Sequence, residues 1–176
     1  PSTAYSFRVR AYEYNPEGNP VYSAPSSETL TTAAWPAVPT DLAAAAVSDT
    51  RIDLSWTDTA GETGYGIERS QDGVSGWTQI ATAAADASTY SDTSVSEGEG
   101  TPRYYRVRAT KTGAGDSAYS AVVSATTLPA TPEITNAVIV DGSTVDLTWT
   151  DDSEIETAYS IEQLQSGGIT WQEIQT

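Results

Sequence analysis

The sequence predicts an all-β fold made of tandem seven-stranded antiparallel β-sandwiches, one complete and two partial. Apolar and polar residues alternate with a period of two in short segments separated by turn residues, as in half-buried strands. Segment 104–109 (YYRVRA) has a near copy at 6–11 (SFRVRA), 98 positions earlier (105 − 7). Segment 54–58 (LSWTD) returns as LTWTD at 147–151. These repeats indicate domains of about 95 residues, each long enough to bury one core.

Two proline-bearing linkers set the domain boundaries. Residues 35–39 (WPAVP) and 128–132 (LPATP) correspond at an offset of 93 (128 − 35). Proline removes backbone donors and favours an extended path, which is typical between domains. We therefore assign the last two strands of a domain to 1–34, a complete domain to 35–128 and the first four strands of a third domain to 129–176.

Turn residues divide the first partial domain into two predicted strands. Residues 5–11 alternate between apolar and polar side chains, and the turn residues at 15–20 (NPEGNP) end that strand. Residues 21–32 form the second strand.

The complete domain contains seven predicted strands, and 52–56 shows the clearest alternation. In the third domain, 145–149 and 159–162 repeat the second and third of them. In chain order the seven strands are 42–47, 52–56, 65–68, 77–81, 88–90, 103–110 and 119–127.

Several motifs point to one family. They are a Pro-x-x-Pro lead-in at 36–39, a core tryptophan on the second strand (Trp56 and Trp149), GYGIERS at 64–70 and YSFRVRA at 5–11. Together they resemble tandem fibronectin type III domains of bacterial and archaeal extracellular proteins. In the related immunoglobulin domains the core tryptophan lies on the third strand beside a disulfide. This sequence has its tryptophan on the second strand and has no Cys.

The resemblance implies a tyrosine corner, in which a Tyr hydroxyl bonds back to a turn backbone. Tyr5 holds that position in the first unit, two residues before Phe7. In the complete unit Arg103 holds it, which departs from the family pattern. We expect either a reoriented Tyr104 or the Arg103 guanidinium to make the bond there.

Composition excludes most catalytic chemistry. The sequence has no Cys, His or Met, so thiol chemistry, Ser-His or Cys-His pairs and zinc or copper sites are not expected. Paired carboxylates can hydrolyse a glycosidic bond, but a sandwich of this size offers no obvious cleft for the sugar. The resemblance implies spacers, adhesive modules or scaffolds. We predict that the chain is not an enzyme and has no cofactor.

The charge of the chain argues against two classes of partner. The net charge is −16, and residues 129–176 contain no basic residue. Such a surface repels nucleic-acid phosphates and anionic lipid. No run of 18 apolar residues is present, so no membrane insertion is predicted for this segment.

One charged pair is predicted on the outer face of the sheet. By alternation, Glu68, Arg106 and Arg108 point away from the core. The third and sixth strands are neighbours in the expected sheet, so Glu68 should face one of the two arginines. Such a cross-strand pair contributes about 0.2–1 kcal/mol, which favours a structural role.

A run of carboxylates in the third unit is a weak candidate for calcium. Its spacing matches no calcium-loop pattern, and the corresponding turn of the complete unit holds only Asp58 and Glu62. A solvated acidic turn is therefore favoured, and no metal site is predicted. The candidate ligands are Asp151, Asp152, Glu154 and Glu156.

Trp35 is unusual in a linker and has two interpretations. It either caps the bottom of a neighbouring core or forms an exposed aromatic platform for a sugar ring.

Three functions remain open at this stage. The first is a structural or adhesive repeat segment of a long secreted or cell-surface protein, such as an extracellular filament. The second is a spacer in a large secreted polysaccharide-degrading enzyme, and the third is a carbohydrate- or protein-binding module. The expected partners are neighbouring domains of the same chain, other copies of the chain in a homopolymer, or an extracellular protein or glycan.

Overall fold

The computed structural model describes residues 2–95, 100–165 and 167–175. All regular secondary structure in these ranges is β-strand, and they contain no helix of the length and apolarity needed to cross a membrane. The strands are β1 (Ala4–Val9), β2 (Tyr12–Tyr14), β3 (Pro20–Tyr22), β4 (Ser26–Thr31), β5 (Thr40–Ala46), β6 (Ile52–Thr57), β7 (Gly64–Ser70), β8 (Thr78–Ala84), β9 (Thr89–Asp92), β10 (Arg103–Thr110), β11 (Val123–Ala125), β12 (Ile134–Ile139), β13 (Val145–Trp149), β14 (Ile161–Leu164) and β15 (Trp171–Gln175).

The complete unit is a sandwich of two antiparallel sheets. Strands β5, β6 and β9 form a three-stranded sheet in that order, and β11, β10, β7 and β8 form a four-stranded sheet. Seven strands in two sheets confirm the predicted all-β fold. Each predicted strand of this unit overlaps an observed one, and the bounds of β10 agree with the prediction at both ends.

Alternation along the strands builds the core. In β6 and β10 every second residue is buried and the residues between them are more exposed. The inner faces of both sheets therefore contribute apolar side chains to one cluster, since strand side chains alternate between faces. That cluster consists of Leu42, Ile52, Leu54, Trp56, Tyr65, Ile67, Val95, Tyr105, Val107 and Ala109.

The first unit has four strands where two were predicted. Strands β1 and β4 pair with each other, and β2 and β3 pair with each other. The ladder is interrupted where the Ser23 hydroxyl accepts a hydrogen bond from the backbone N–H of Ala11, and where Pro25 has no N–H to donate. The prediction of two continuous strands was therefore wrong. The segments before and after the turn at 15–20 nevertheless pair with each other as antiparallel strands.

The seventh strand of the complete unit is shorter than predicted. It extends over Val123–Ala125, whereas the sequence pattern indicated 119–127. The hydroxyls of Ser117 and Ser120 accept hydrogen bonds from the N–H groups of Ala109 and Val107, each at 3.0 Å. Side chains thus satisfy β10 donors that a longer β11 would have paired.

The third unit repeats the interior geometry of the complete unit. The rings of Trp149 and Tyr159 are 5.5 Å apart at 58°, and those of Trp56 and Tyr65 are 5.4 Å apart at 56°. The third unit pairs β12 with β13 and β14 with β15. Its apolar residues are largely exposed, including Ile139, Val145 and Trp171.

Candidate functional site

On the outer face of the four-stranded sheet, an arginine side chain packs between two aromatic rings. The guanidinium carbon of Arg106 lies 4.2 Å from the Trp77 ring centre and 3.7 Å from the Tyr119 ring centre. Arg106 stands on β10 directly opposite Glu68 on β7. Its Nη2 is 2.6 Å from Glu68 Oε2, and its Nε donates to the same oxygen at 2.9 Å. Alternation predicted that these side chains point outward, and the expected sheet placed the two strands side by side. The structure pairs Glu68 with Arg106 rather than with Arg108.

The surroundings of Glu68 differ from those of an ordinary surface pair. Glu68 is only 8% exposed, and its carboxylate accepts hydrogen bonds from Arg106 and from the Tyr119 hydroxyl. Burial raises the pKa of its carboxyl, but hydrogen bonds from the Tyr119 hydroxyl and Arg106 outweigh burial and leave the pKa below its usual value. We name the set Glu68, Trp77, Arg106 and Tyr119 the arginine ladder.

Arg108 extends the arginine ladder at one end. Its guanidinium carbon is 5.2 Å from the Tyr119 ring centre, and its Nη1 is 3.0 Å from Asp116 Oδ2. A desolvated arginine on an aromatic face contributes about 2 kcal/mol, and an exposed one about half of that. Both arginines are thus paired with carboxylates, Arg106 with Glu68 and Arg108 with Asp116. This pairing favours a rigid structural surface over a binding site with unpaired charges.

Inside the sandwich, a buried carboxylate joins the two sheets. Asp92, at the end of β9, is fully buried. Its Oδ2 is 2.7 Å from Arg69 Nη1 and accepts from the Tyr105 hydroxyl at 3.1 Å. Its Oδ1 accepts from the N–H and hydroxyl of Ser94 at 3.0 and 2.7 Å. Burial raises the pKa of Asp92, but the hydrogen bonds from Ser94 and Arg69 lower it below its usual value.

Sequence reasoning missed this interior cluster, although one signal was present. Tyr65, Ile67 and Arg69 alternate along β7, so Arg69 belongs to the face that carries core residues. A cation on an apolar face needs a buried partner. Asp92 occupies the matching face of β9, two residues after Tyr90.

The tyrosine-corner position is exposed in the first unit and buried in the complete unit. Tyr5 is 53% exposed, and its hydroxyl makes no hydrogen bond among the described residues. In the complete unit Arg103 is buried and the Tyr104 ring packs close to Gly73. A bond from the Arg103 guanidinium to the turn backbone stays a prediction, and the Tyr105 hydroxyl donates separately to Asp92.

The core tryptophans stand beside a repeated tyrosine–aspartate contact. The Tyr65 hydroxyl donates to Asp58 Oδ1 and accepts from the Thr59 N–H at 2.8 Å. In the third unit the Tyr159 hydroxyl donates to Asp151 Oδ1 at 2.7 Å. This bond lowers the pKa of Asp151. The contact fixes the turn that follows the tryptophan strand.

The four weak calcium candidates do not come together. Among the residues that the structure describes, Asp151, Asp152, Glu154 and Glu156 supply no group of three converging ligand atoms. Thr150 donates to Asp152, and Tyr159 contacts both Asp151 and Glu156. The carboxylates that do converge are Asp58, Glu62 and Asp86, whose oxygens lie within 4.8 Å of one another. Asp86 was not considered at the sequence level, because it lies 24 residues from Glu62 (86 − 62).

Trp35 does not cap a core. Its side chain is 68% exposed, and its indole lies near Gly115 in the turn after β10. The capping interpretation was therefore wrong, and the exposed platform stays a prediction.

Comparisons with known proteins agree with this geometry. No family model matches the sequence. The chain is 36% identical to Exoglucanase B of Cellulomonas fimi over 139 residues. The aligned stretch covers 72% of this chain but only 12% of the length of that protein. The FN1–FN3 domains of chicken CNTN1 align with a TM-score of 0.50 at 18% identity, over 81% of this chain and 53% of theirs. An Fn3-like protein from Clostridium thermocellum aligns at 30% identity and a TM-score of 0.45, over 52% of this chain and 92% of that one.

The strand order and the likeness to the CNTN1 domains define the class of protein. Three strands pack on four around an alternating core, and the motifs of this unit recur before and after it. The chain is a tandem of fibronectin type III-like domains, as its motifs predicted.

Proposed function

We propose that this chain is a non-catalytic spacer segment of a long secreted polysaccharide-degrading enzyme. The observation that carries the proposal is the 36% identity to Exoglucanase B over a stretch that makes up 12% of that protein. A module that fills so small a share of an enzyme is suited to setting reach and orientation. Its place of action would be outside the cell.

The side chains of the complete unit support a mechanical role. Glu68 and Asp92 are each held by an arginine and a tyrosine hydroxyl. A carboxylate held in this way is ionised and geometrically fixed, so it is a poor proton donor or nucleophile at neutral pH. The same contacts tie strands and sheets together, which makes the unit stiff.

Flanking sequence gives the sharpest test of the spacer. We expect a glycoside-hydrolase catalytic domain within one or two repeats of this segment. The purified 176-residue chain should release no sugar from cellulose or soluble β-glucan. Dozens of further repeats ending in a surface anchor would contradict the spacer proposal and favour a structural array. Hydrolysis by the chain alone would contradict both non-catalytic proposals, the spacer and the structural array.

A second candidate, a structural or adhesive array, is favoured by unpaired charges in the partial units. Arg8 and Glu162 occupy the positions of Arg106 and Glu68, at offsets of 98 and 94 (106 − 8 and 162 − 68). Both are exposed, and neither forms an ion pair within the described ranges. If β1 lay beside β14 in the register of β10 and β7, Arg8 would face Glu162. The partner would then be another unit of this kind, from adjoining chain or from a second copy in a homopolymer.

Charge exchange tests the homopolymer. Sedimentation of the chain over a range of concentrations should show association that Arg8→Glu and Glu162→Arg each weaken and that the double exchange restores. Arg10→Glu is the matched control, because the same register places Arg10 opposite Ser160 rather than a carboxylate. A monomer at every concentration would contradict assembly between copies.

The exposure of Trp35 favours a third candidate, a carbohydrate-binding module. An exposed indole can stack on the apolar face of a sugar ring. Binding of the chain on a glycan array should be lost in Trp35→Ala. Absence of binding by the intact chain would rule this candidate out.

A further inference from the structure

We propose that Asp58, Glu62 and Asp86 form a calcium site at one end of the complete sandwich. The proposal goes beyond the spacer function and does not depend on it. Asp58 follows β6, Glu62 precedes β7, and Asp86 follows β8. Since β6 belongs to the three-stranded sheet and β7 and β8 to the four-stranded sheet, a bound ion would fasten the two sheets together.

The spacing of the carboxylates fits one ion. An oxygen from each of the three side chains lies within 4.8 Å of the other two. Calcium binds oxygens at about 2.4 Å, so two of its ligands are at most about 4.8 Å apart. The three groups can therefore contact a single Ca²⁺ without movement of the strands that carry them.

Glu62 supplies an independent observation. Its side chain is 8% exposed, and its Oε1 accepts the backbone N–H of Asp86 at 2.8 Å. Its other oxygen, Oε2, is buried and has no hydrogen-bond partner. A buried carboxylate oxygen without a donor is costly unless a cation contacts it. No lysine or arginine in the described ranges forms an ion pair with any of the three carboxylates.

Two of the three carboxylates have counterparts in the third unit. Asp151 and Glu156 stand where Asp58 and Glu62 stand, at offsets of 93 and 94 (151 − 58 and 156 − 62). In both units the first aspartate accepts a tyrosine hydroxyl. Glu156 Oε2 is also buried without a hydrogen-bond partner. A single unpaired oxygen could be accidental, but its repetition at equivalent positions indicates a role.

The chemistry of the donors selects calcium among common cations. All three are carboxylates, and the sequence has no Cys or His, so soft and borderline metals lack their preferred ligands. Asp58 and Asp86 are exposed, which leaves room for waters to complete a shell of six to eight oxygens. Magnesium needs near-ideal octahedral geometry at about 2.0–2.1 Å, which ligands from separate turns do not readily supply.

Thermal unfolding of the whole chain tests the site. Adding 1–2 mM Ca²⁺ (about a hundred times the protein concentration) to EDTA-treated protein should raise the Tm by several degrees, because a ligand that binds only the folded state stabilises it. Glu62→Gln keeps the shape and the Oε1 acceptor but should abolish the shift. Asp86→Asn should also abolish it, and asparagine tolerates the left-handed backbone at this position (φ 60°). If Glu62→Gln fails to fold, the exposed Asp86 variant still decides the question.

Two controls separate a site from general screening of a chain with a net charge of −16. Asp49→Asn removes the same charge from a different turn and should keep the full calcium shift. Mg²⁺ at the same concentration should give a much smaller shift. Equal shifts in wild type, Glu62→Gln and Asp86→Asn, or equal shifts with both ions, would overturn the proposal in favour of screening. No shift in wild type would overturn it outright.

Discussion

Arg69 and Asp92 form an ion pair that crosses the interior of the sandwich from one sheet to the other. The Nη1 of Arg69 on β7 is 2.7 Å from Oδ2 of Asp92 at the end of β9. The carboxylate is fully out of contact with solvent, while the arginine keeps about a quarter of its side chain exposed. The pair therefore links strands that share no backbone hydrogen bonds.

Replacing Asp92 should be among the most damaging single changes in the complete unit. Asp92→Ala removes the acceptor of Arg69, the Tyr105 hydroxyl and Ser94 at once. Breaking a buried pair by removing one partner costs about 3–5 kcal/mol. Urea unfolding followed by tryptophan fluorescence measures the loss. Asp53→Ala is the control, because its pair with Arg51 is exposed on both sides and its loss should destabilise the unit much less. Similar losses in the two variants would contradict the interior role.

Stability should fall in acid, and Asp92 should account for part of the fall. Its pKa in the folded state lies below the usual value, since the hydrogen bonds from Ser94 and Arg69 outweigh the effect of burial. A carboxyl with a depressed folded pKa stabilises the fold above its unfolded pKa, about 4, and this stabilisation is lost as pH falls through the folded pKa. The free energies of unfolding of wild type and Asp92→Asn, measured by urea titration from pH 7 to pH 2.5, should begin to converge as the pH falls below about 4. A constant difference at all pH values would show that the charge is not the cause.

Local patterns were enough to predict the place of each strand in the complete unit and one contact across two of them. The alternation at 52–56 and 103–110 marks β6 and β10, and with the expected strand order it places Glu68 opposite an arginine. Trp77 and Tyr119 could not be placed in the same way. Trp77 precedes β8, whose register against β7 shifts at a bulge, and Tyr119 lies in a segment held by serine side chains.

Contacts between distant turns were also beyond the sequence. The approach of Asp86 to Glu62 depends on the β7–β8 hairpin bringing its far end back to the turn before β7. No spacing rule relates these two carboxylates. The Asp92 cluster was predictable in part. The position of Arg69 on an apolar strand face indicates that it has a buried partner, but the sequence does not show that the partner is Asp92.

The arginine ladder should depend on the flat guanidinium of Arg106. Arg106→Lys keeps the charge but loses stacking on Trp77 and Tyr119 and one of the two bonds to Glu68, which we expect to cost about 1–3 kcal/mol. Urea unfolding of this variant beside Arg51→Lys isolates the effect, because Arg51 contacts Asp53 and Ser91 but no ring. Equal and small losses in the two variants would show that the stacking contributes little.

The packing of Tyr104 on the β7–β8 turn can be tested with two glycines. Gly73 and Gly76 both have left-handed backbone conformations, at φ 72° and 61°. A Cβ at Gly73 would lie 2.7 Å from Tyr104 Cδ1, whereas a Cβ at Gly76 would meet nothing within 4 Å. Both alanine variants carry the backbone strain, about 1 kcal/mol, but only Gly73→Ala must also displace the ring. Gly73→Ala should therefore lower the free energy of unfolding by more than Gly76→Ala, and the excess should vanish when Tyr104 is also replaced by alanine. An excess that persists without Tyr104 would mean that the clash lies in the backbone rather than in the aromatic ring.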